Sequence, residues 1–276
     1  MKTYVQPIGT GTTWQRYSTM FYGDQVLKRV LFITGLVVFI LAISIWWSRS
    51  LGTVFSFRTT GWIYIATFMA GIIARIIGAK LKQVHMSQKL ETQPGRHAID
   101  SFMEHWGTGV GIFMLIVSGY QIHERGGLHA IKLHFLGLFL TLLFGAYFLA
   151  DFIVSRKYAI LFPNVKDVID GTIKKYLLRG KVKETGKYLS SQKSSFLLFA
   201  ILGGLIFISG VIKLIPFYVS FPFRITKIAT SIHDVSAILF GVVLAVHILL
   251  VIVRRANWPL LISWFNGEIP DTPERK

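Results

Sequence analysis

The segment Ser231–Arg255, SIHDVSAILFGVVLAVHILLVIVRR, decides the fold. It is an apolar run long enough to cross a hydrocarbon layer of about 30 Å, and it carries two histidines, His233 and His247. At about 1.5 Å rise and 100° per residue, their spacing gives about 21 Å along the axis and leaves the side chains about 40° apart. Both imidazoles therefore face one way, one near each end of the layer. An ionisable side chain at membrane depth is costly and reads as functional by default. Imidazole is also an axial ligand of haem iron. The spacing predicts a helix that grips two haems, one above the other, with neighbouring helices supplying the opposing ligands.

Composition agrees with a membrane setting. Of the 276 residues 53% are hydrophobic and only 16% charged, and the apolar residues fall in blocks. The class is an all-α integral membrane helical bundle. The net charge of +17 does not signal nucleic acid, because the basic residues lie between the apolar runs, where they orient helices. The absence of cysteine excludes thiolate zinc sites, cysteine-bound iron–sulfur clusters and disulfides within this chain. The first apolar run, Val30–Trp47, is longer than a signal h-region and ends in Trp-Trp-Ser-Arg, so it reads as a retained helix.

Working outward from the opening segment, the pattern predicts six transmembrane helices: 27–47, 61–79, 99–122, 129–153, 196–215 and the segment from Ser231. Arg75, near the end of the second, is placed to snorkel beside Lys80 and Lys82. A polar link from Lys82 to Arg96 is broken by Pro94-Gly95. The stretch KDVIDGTIKKYLLRG, in the long polar connection Ser155–Ser195, reads as a short interfacial amphipathic helix. So does NWPLLISWFNGEI after the last span, as a helix lying at the surface. Lys and Arg number ten between the fourth and fifth helices. With both termini and the link after the second helix, that side holds 22, against 7 opposite, Arg75 aside. The positive-inside rule then places both termini and the large loop in the cytoplasm, in a multi-pass protein of the cytoplasmic membrane.

Four of the eight histidines fall at membrane depth: His105, His134, His233 and His247. His85 and His97 lie in the polar link, and His123 at the outer end of the third helix. Chain direction sets depth. The third helix runs outward, so His105 is on the cytoplasmic side. The fourth and sixth run inward, so His134 and His233 are outer and His247 is inner. Pairs at equal depth are His105 with His247 and His134 with His233. His129, a turn and a half before His134, is the alternative outer ligand. Gly107, Gly109, Gly111, Gly137, Ala237 and Gly241 surround these positions. Small residues there fit either a recess for a flat macrocycle or close helix packing.

These residues resemble a known family. The Glu104-His105-Trp106 helix opening, GKYLSSQK at 186–193, HDVSAILFGVVLAVH at 233–247 and LLISWFNGEI at 260–269 are similar to the di-haem cytochrome b (gamma) subunit of respiratory formate dehydrogenases. That subunit is related to the cytochrome b of membrane-bound nickel–iron hydrogenases. The likeness spans about residues 96–270. It implies two haem b groups ligated by His105, His134, His233 and His247. It also implies a menaquinone or ubiquinone near the cytoplasmic haem, with Lys187, Tyr188, Gln192 and Lys193 matching the family's quinone stretch. Leu189 and Ser191 depart from that stretch, and the polar run serves equally as a cap for the fifth helix. The resemblance further implies an iron–sulfur partner subunit and a catalytic oxidoreductase subunit docked on the outer face.

The sequence therefore divides into residues 1–95, a tail and two extra helices, and 96–276, a four-helix di-haem core. It reads as a redox subunit in the bilayer rather than a complete enzyme. The rival readings are a histidine-lined proton or metal transporter and a haem-free membrane anchor. The first finds few mid-depth carboxylates and no inverted repeat; the second leaves the histidine register unexplained.

Overall fold

The structure, a computed structural model, describes residues 26–43, 45, 57–86, 99–178, 180 and 188–266. The N-terminal tail, the link containing His97 and Pro94-Gly95, and Lys187 lie outside the described residues. Among the described residues the regular structure is helical: α1 (Val26–Ile43), α2 (Phe57–Met86), α3 (Ile99–Arg125) and α4 (Leu128–Val154). There follow α5 (Tyr158–Leu161), α6 (Val165–Val168), α7 (Ser190–Leu214), α8 (Phe223–Val253) and α9 (Trp258–Asn266). Five of these, α1, α2, α4, α7 and α8, are long and apolar enough to cross a membrane. The fold is a helical membrane bundle, and the protein is a multi-pass membrane protein. The 27-residue α3 is less apolar, because its first turns carry Asp100, Glu104 and His105.

Two antiparallel hairpins form the body. Gly126 and Gly127 turn α3 into α4 with φ of 61° and 116°, values that side-chain-bearing residues rarely adopt. The two helices then lie in close contact. A Cβ on Gly111 would come within 2.5 Å of the Thr141 hydroxyl, and one on Gly137 within 2.9 Å of the Gly111 carbonyl. Met114, Leu136 and Leu140 form the core beside this crossing, and α1 covers it with Leu36, Ile40 and Ile43. The second hairpin pairs α7 with α8, where Phe199 meets Phe240 at 5.0 Å. Its turn is a 3-10 segment, Ile215–Phe217, and Pro222 caps α8. Helices α7 and α8 accordingly start at Ser190 and Phe223, earlier than hydropathy predicts, since SSQKSS and FRITKIAT continue the helical backbone.

α2 packs along α4. Gly71 admits the Leu143 carbonyl and Ala146, and Tyr64 lies against Phe135 at 6.1 Å. At the end of the bundle nearest the long basic connection, hereafter the basic end, Arg75 does not snorkel. It turns inward to pair with Asp151 and donates to the Ser155 hydroxyl at 2.8 Å. Lys157 bridges Asp151 and Glu104, the latter at 2.7 Å. Burial opposes the Lys157 charge, but Glu104 and Asp151 outweigh it and hold its pKa above the ordinary range. Four buried or nearly buried charges thus bolt α2, α3 and α4 together, which is why Arg75 stays inside.

The two hairpins meet each other sparingly. At the basic end Phe152 of α4 meets Phe196 of α7 at 5.7 Å. At the far end the Tyr218 side chain sits where Gly61 of α2 leaves room. Between α3 and α8 contacts are few. Midway, the Ile116 side chain approaches Gly241, a Cβ there lying 3.7 Å from Ile116 Cγ2.

Candidate functional site

The four depth-matched histidines border the seam between the hairpins, two on each side of the Ile116–Gly241 contact. At the basic end His105 of α3 faces His247 of α8, with ring centroids 6.4 Å apart and planes at 58°. Metal–imidazole bonds of about 2.0–2.1 Å, with each ring centre about 1.1 Å behind its nitrogen, put two trans ligands about 6.3 Å apart, centre to centre. The observed 6.4 Å separation matches that distance. Trp264 of α9 lies on the face of His105 at 4.5 Å and 18°, and Phe199 meets His247 edge-on at 5.7 Å. A ring stacked on an imidazole face leaves its nitrogen edge open. Among the described residues neither of these two imidazoles has a hydrogen-bond partner.

At the far end stand His134 of α4 and His233 of α8. Here each ring is held by hydrogen bonds. His233 Nδ1 lies 3.0 Å from the Ile206 carbonyl and 3.3 Å from the Ser209 hydroxyl. A carbonyl only accepts, so Nδ1 carries a proton. His134 Nδ1 lies 3.0 Å from the Ser118 hydroxyl, with the Leu115 carbonyl also in reach. That hydroxyl donates to the Met114 carbonyl at 2.6 Å, so it accepts from His134. His134 Nδ1 therefore also carries a proton. Ser118 and Ser209 were not singled out in the sequence. The signal was a repeated Ser-Gly pair, Ser118-Gly119 and Ser209-Gly210, whose glycines lie against the two rings.

The remaining glycines divide between the two roles open from the sequence. Gly107 meets the Phe144 ring, and Gly111 and Gly137 serve the α3–α4 crossing. Gly109, one turn beyond His105, has nothing within 4 Å of a Cβ position and leaves space beside that ring. Among the described residues no group of three or more His, Asp or Glu gathers to hold a bare metal ion. Paired imidazoles are instead the number that a metal already held by a macrocycle requires.

A family model described as prokaryotic cytochrome b561, of the nickel-hydrogenase cytochrome b type, matches residues 101–263, more than half of the chain. The chain belongs to that family. No curated protein and no solved structure gives a significant match. Membership makes this a membrane haem-b electron-transfer cytochrome. The residues present fit that group: two imidazoles engaged through Nδ1 at the far end, and a pair at bis-imidazole separation at the basic end.

Other sites expected from the sequence fall differently in this cytochrome b561 relative. His129 is exposed at the start of α4, away from the hydrogen-bonded setting of His134. His123 is exposed as well. Gln192 accepts from the Leu189 N–H at 3.0 Å, which caps the first turn of α7. Ser190 donates to Asp167 at 3.0 Å and Lys193 pairs with the same carboxylate at 3.0 Å. Asp167 thereby docks α6 onto the start of α7, and Gly171 lets that segment pass against the Ser190 backbone. Burial would raise the Asp167 pKa, but Lys193, the Asn164 N–H and Ser190 outweigh it and hold the carboxyl below the ordinary range. Tyr188 is half-buried beside this junction.

Proposed function

We propose that this cytochrome is the membrane-anchoring di-haem b subunit of a respiratory oxidoreductase. In this reading it spans the cytoplasmic membrane six times, with α3 as the sixth span and both termini in the cytoplasm, as its basic residues favour. His105 with His247 and His134 with His233 are the two axial pairs, inner and outer. Bound haem b supplies one-electron redox chemistry at each. The chain's own work is to set ligand depth, tautomer and separation, and to exclude water with the aromatic and aliphatic walls of the seam. Residues 96–276 form the di-haem core, and residues 1–95 contribute the helices that buttress it on the α3–α4 side. An iron–sulfur subunit joined to a catalytic subunit, of the formate dehydrogenase or hydrogenase type, exchanges electrons at the outer face. A menaquinone or ubiquinone is the other electron partner, near the inner pair, where Tyr188 and Gln192 lie on the adjoining junction. The observation that carries the reading is the 6.4 Å imidazole pair at the basic end, with His233 fourteen residues before His247 on the same helix.

The transporter reading is weaker because the buried carboxylates, Glu104 and Asp151, are paired with Lys157 and Arg75 rather than strung between histidines. The test is a pyridine haemochrome assay on the purified chain, with a reduced-minus-oxidised spectrum. Two b-type haems per chain are expected. A colourless, fully helical preparation from haem-replete cells refutes the proposal.

A further inference from the structure

The two far-end histidines come from different hairpins, yet they sit in the same small device. In each, a serine on the preceding long helix donates to the carbonyl four residues back: Ser118 to Met114 and Ser209 to Leu205, both at 2.6 Å. In each, the hydroxyl also lies 3.1 Å from the carbonyl three residues back, Leu115 or Ile206. His134 Nδ1 meets the Ser118 hydroxyl, and His233 Nδ1 lies between the Ser209 hydroxyl and the Ile206 carbonyl. A glycine follows each serine, and a Cβ at Gly210 would lie 3.3 Å from His233 Cε1. Both serines are buried. Among the described residues the basic-end pair has nothing equivalent: it meets the rings of Trp264, Trp106 and Phe199.

We propose that Ser118 and Ser209, each with the carbonyl three residues before it, are positioning residues that make the far-end imidazoles stronger electron donors than the basic-end pair. The proposal rests on the haem-ligand reading and adds a specific tuning element to it. Donating Nδ1–H to an oxygen fixes the tautomer and raises the basicity of Nε2. A more basic ligand favours the oxidised iron, so the device lowers the reduction potential of the far-end site. Two charged groups on the packed elements, Lys213 and Asp234, stand 3.8 Å apart. The two serines are not equivalent. His134 depends mainly on Ser118, whereas His233 has the Ile206 carbonyl closer than the Ser209 hydroxyl.

The test is potentiometric titration of the full chain in detergent, read in the visible α-band. His247→Ala and His233→Ala assign which transition belongs to which site. Ser118→Ala is expected to raise the far-end midpoint, shifting its reduction equilibrium up to about tenfold, or 59 mV for a one-electron couple. Ser209→Ala moves it the same way but less, Ser118→Thr restores the wild-type value, and the basic-end midpoint stays in place throughout. If Ser118→Ala leaves the far-end midpoint unchanged, or moves both sites together, the proposal is overturned while the haem-ligand reading stands. Should Ser118→Ala fail to fold, Gly210→Ala gives a second reading: it must disturb the far-end transition alone. A wild-type chain that binds no haem removes the parent reading instead.

Discussion

Consider Asp151→Asn. The substitution keeps the side chain's shape and removes one charge from the set that joins α2, α3 and α4. The Arg75 and Asp151 side chains are 8% and 4% exposed, and Lys157 and Glu104 15% and 5%, so solvent screens little of the loss. With Asp151 neutral, Arg75 and Lys157 are left buried with Glu104 as the nearby carboxylate. Removing one partner of a buried pair costs about 3–5 kcal/mol, most of it the stranded charge. For a chain of this size about 2–4 °C is lost per kcal/mol, which gives a fall of roughly 6–20 °C in melting temperature. The assay is thermal unfolding by far-UV circular dichroism in one detergent at one scan rate. The double substitution Arg75→Leu with Asp151→Leu removes both charges together and should recover most of the loss, because apolar replacement of a buried pair is often neutral or better. The reasoning fails if Asp151→Asn melts within about 2 °C of the wild type, or if the double variant is no more stable than the single one.

Three further outcomes are expected. His247→Ala and His233→Ala should each remove one haem of two in a pyridine haemochrome assay, while exposed His129→Ala removes none; loss of both haems from either single variant, or of one from His129→Ala, contradicts the pairing. Gly111→Val should overpack the α3–α4 crossing by about 1–3 kcal/mol in thermal unfolding, whereas Gly109→Ala, with nothing within 4 Å of its Cβ, should melt as the wild type does. The Asp167 carboxyl has a depressed pKa, so its docking of α6 onto α7 is fully present above the ordinary carboxylate value of about 3.9 and is lost as pH falls through the lower folded value. Hydrogen exchange over residues 165–177 should therefore be slow at neutral pH and speed up only in strong acid, and Asp167→Asn should make it fast throughout.

The proximity of His105 and His247 was legible because it depends on quantities a sequence displays: rise per residue, chain direction and the sign of the loops. Those alone bring His105 and His247 to the same level, and the ring separation agrees. The Ser-Gly devices were not legible. Ser118 precedes its histidine by 16 residues and Ser209 by 24, because one hairpin turns on two glycines and the other on a longer linker through Pro216 and Pro222. No fixed spacing links them. Arg75 was misread for a related reason. Its position near a helix end suggests snorkelling, and only the packing of α2 against α4 reveals Asp151 and Ser155 within reach. The stretch GKYLSSQK was readable as polar, but which polar partner it meets was set by the segment before it, where Asp167 takes up Ser190 and Lys193.

The early start of α8 matters more than a shifted boundary would suggest. Hydropathy places His233 within the first turn of its helix, where backbone amides lack partners and ends fray. The observed helix begins at Phe223, so ten residues precede His233, and several turns of backbone hydrogen bonding hold it. Those turns carry Arg224 and Lys227, which depress mean hydropathy and hide them from a search for apolar runs. The same extension offsets the longer linker of this hairpin, so that a histidine 24 residues from its serine still meets it at the level where His134 meets Ser118. A ligand pair drawn from two separate hairpins needs each helix to be rigid at its own ligand, because neither hairpin fixes the other where α3 and α8 barely touch. On the proposed haem-ligand reading, the charged first turns of α8 thus serve to hold His233 in place.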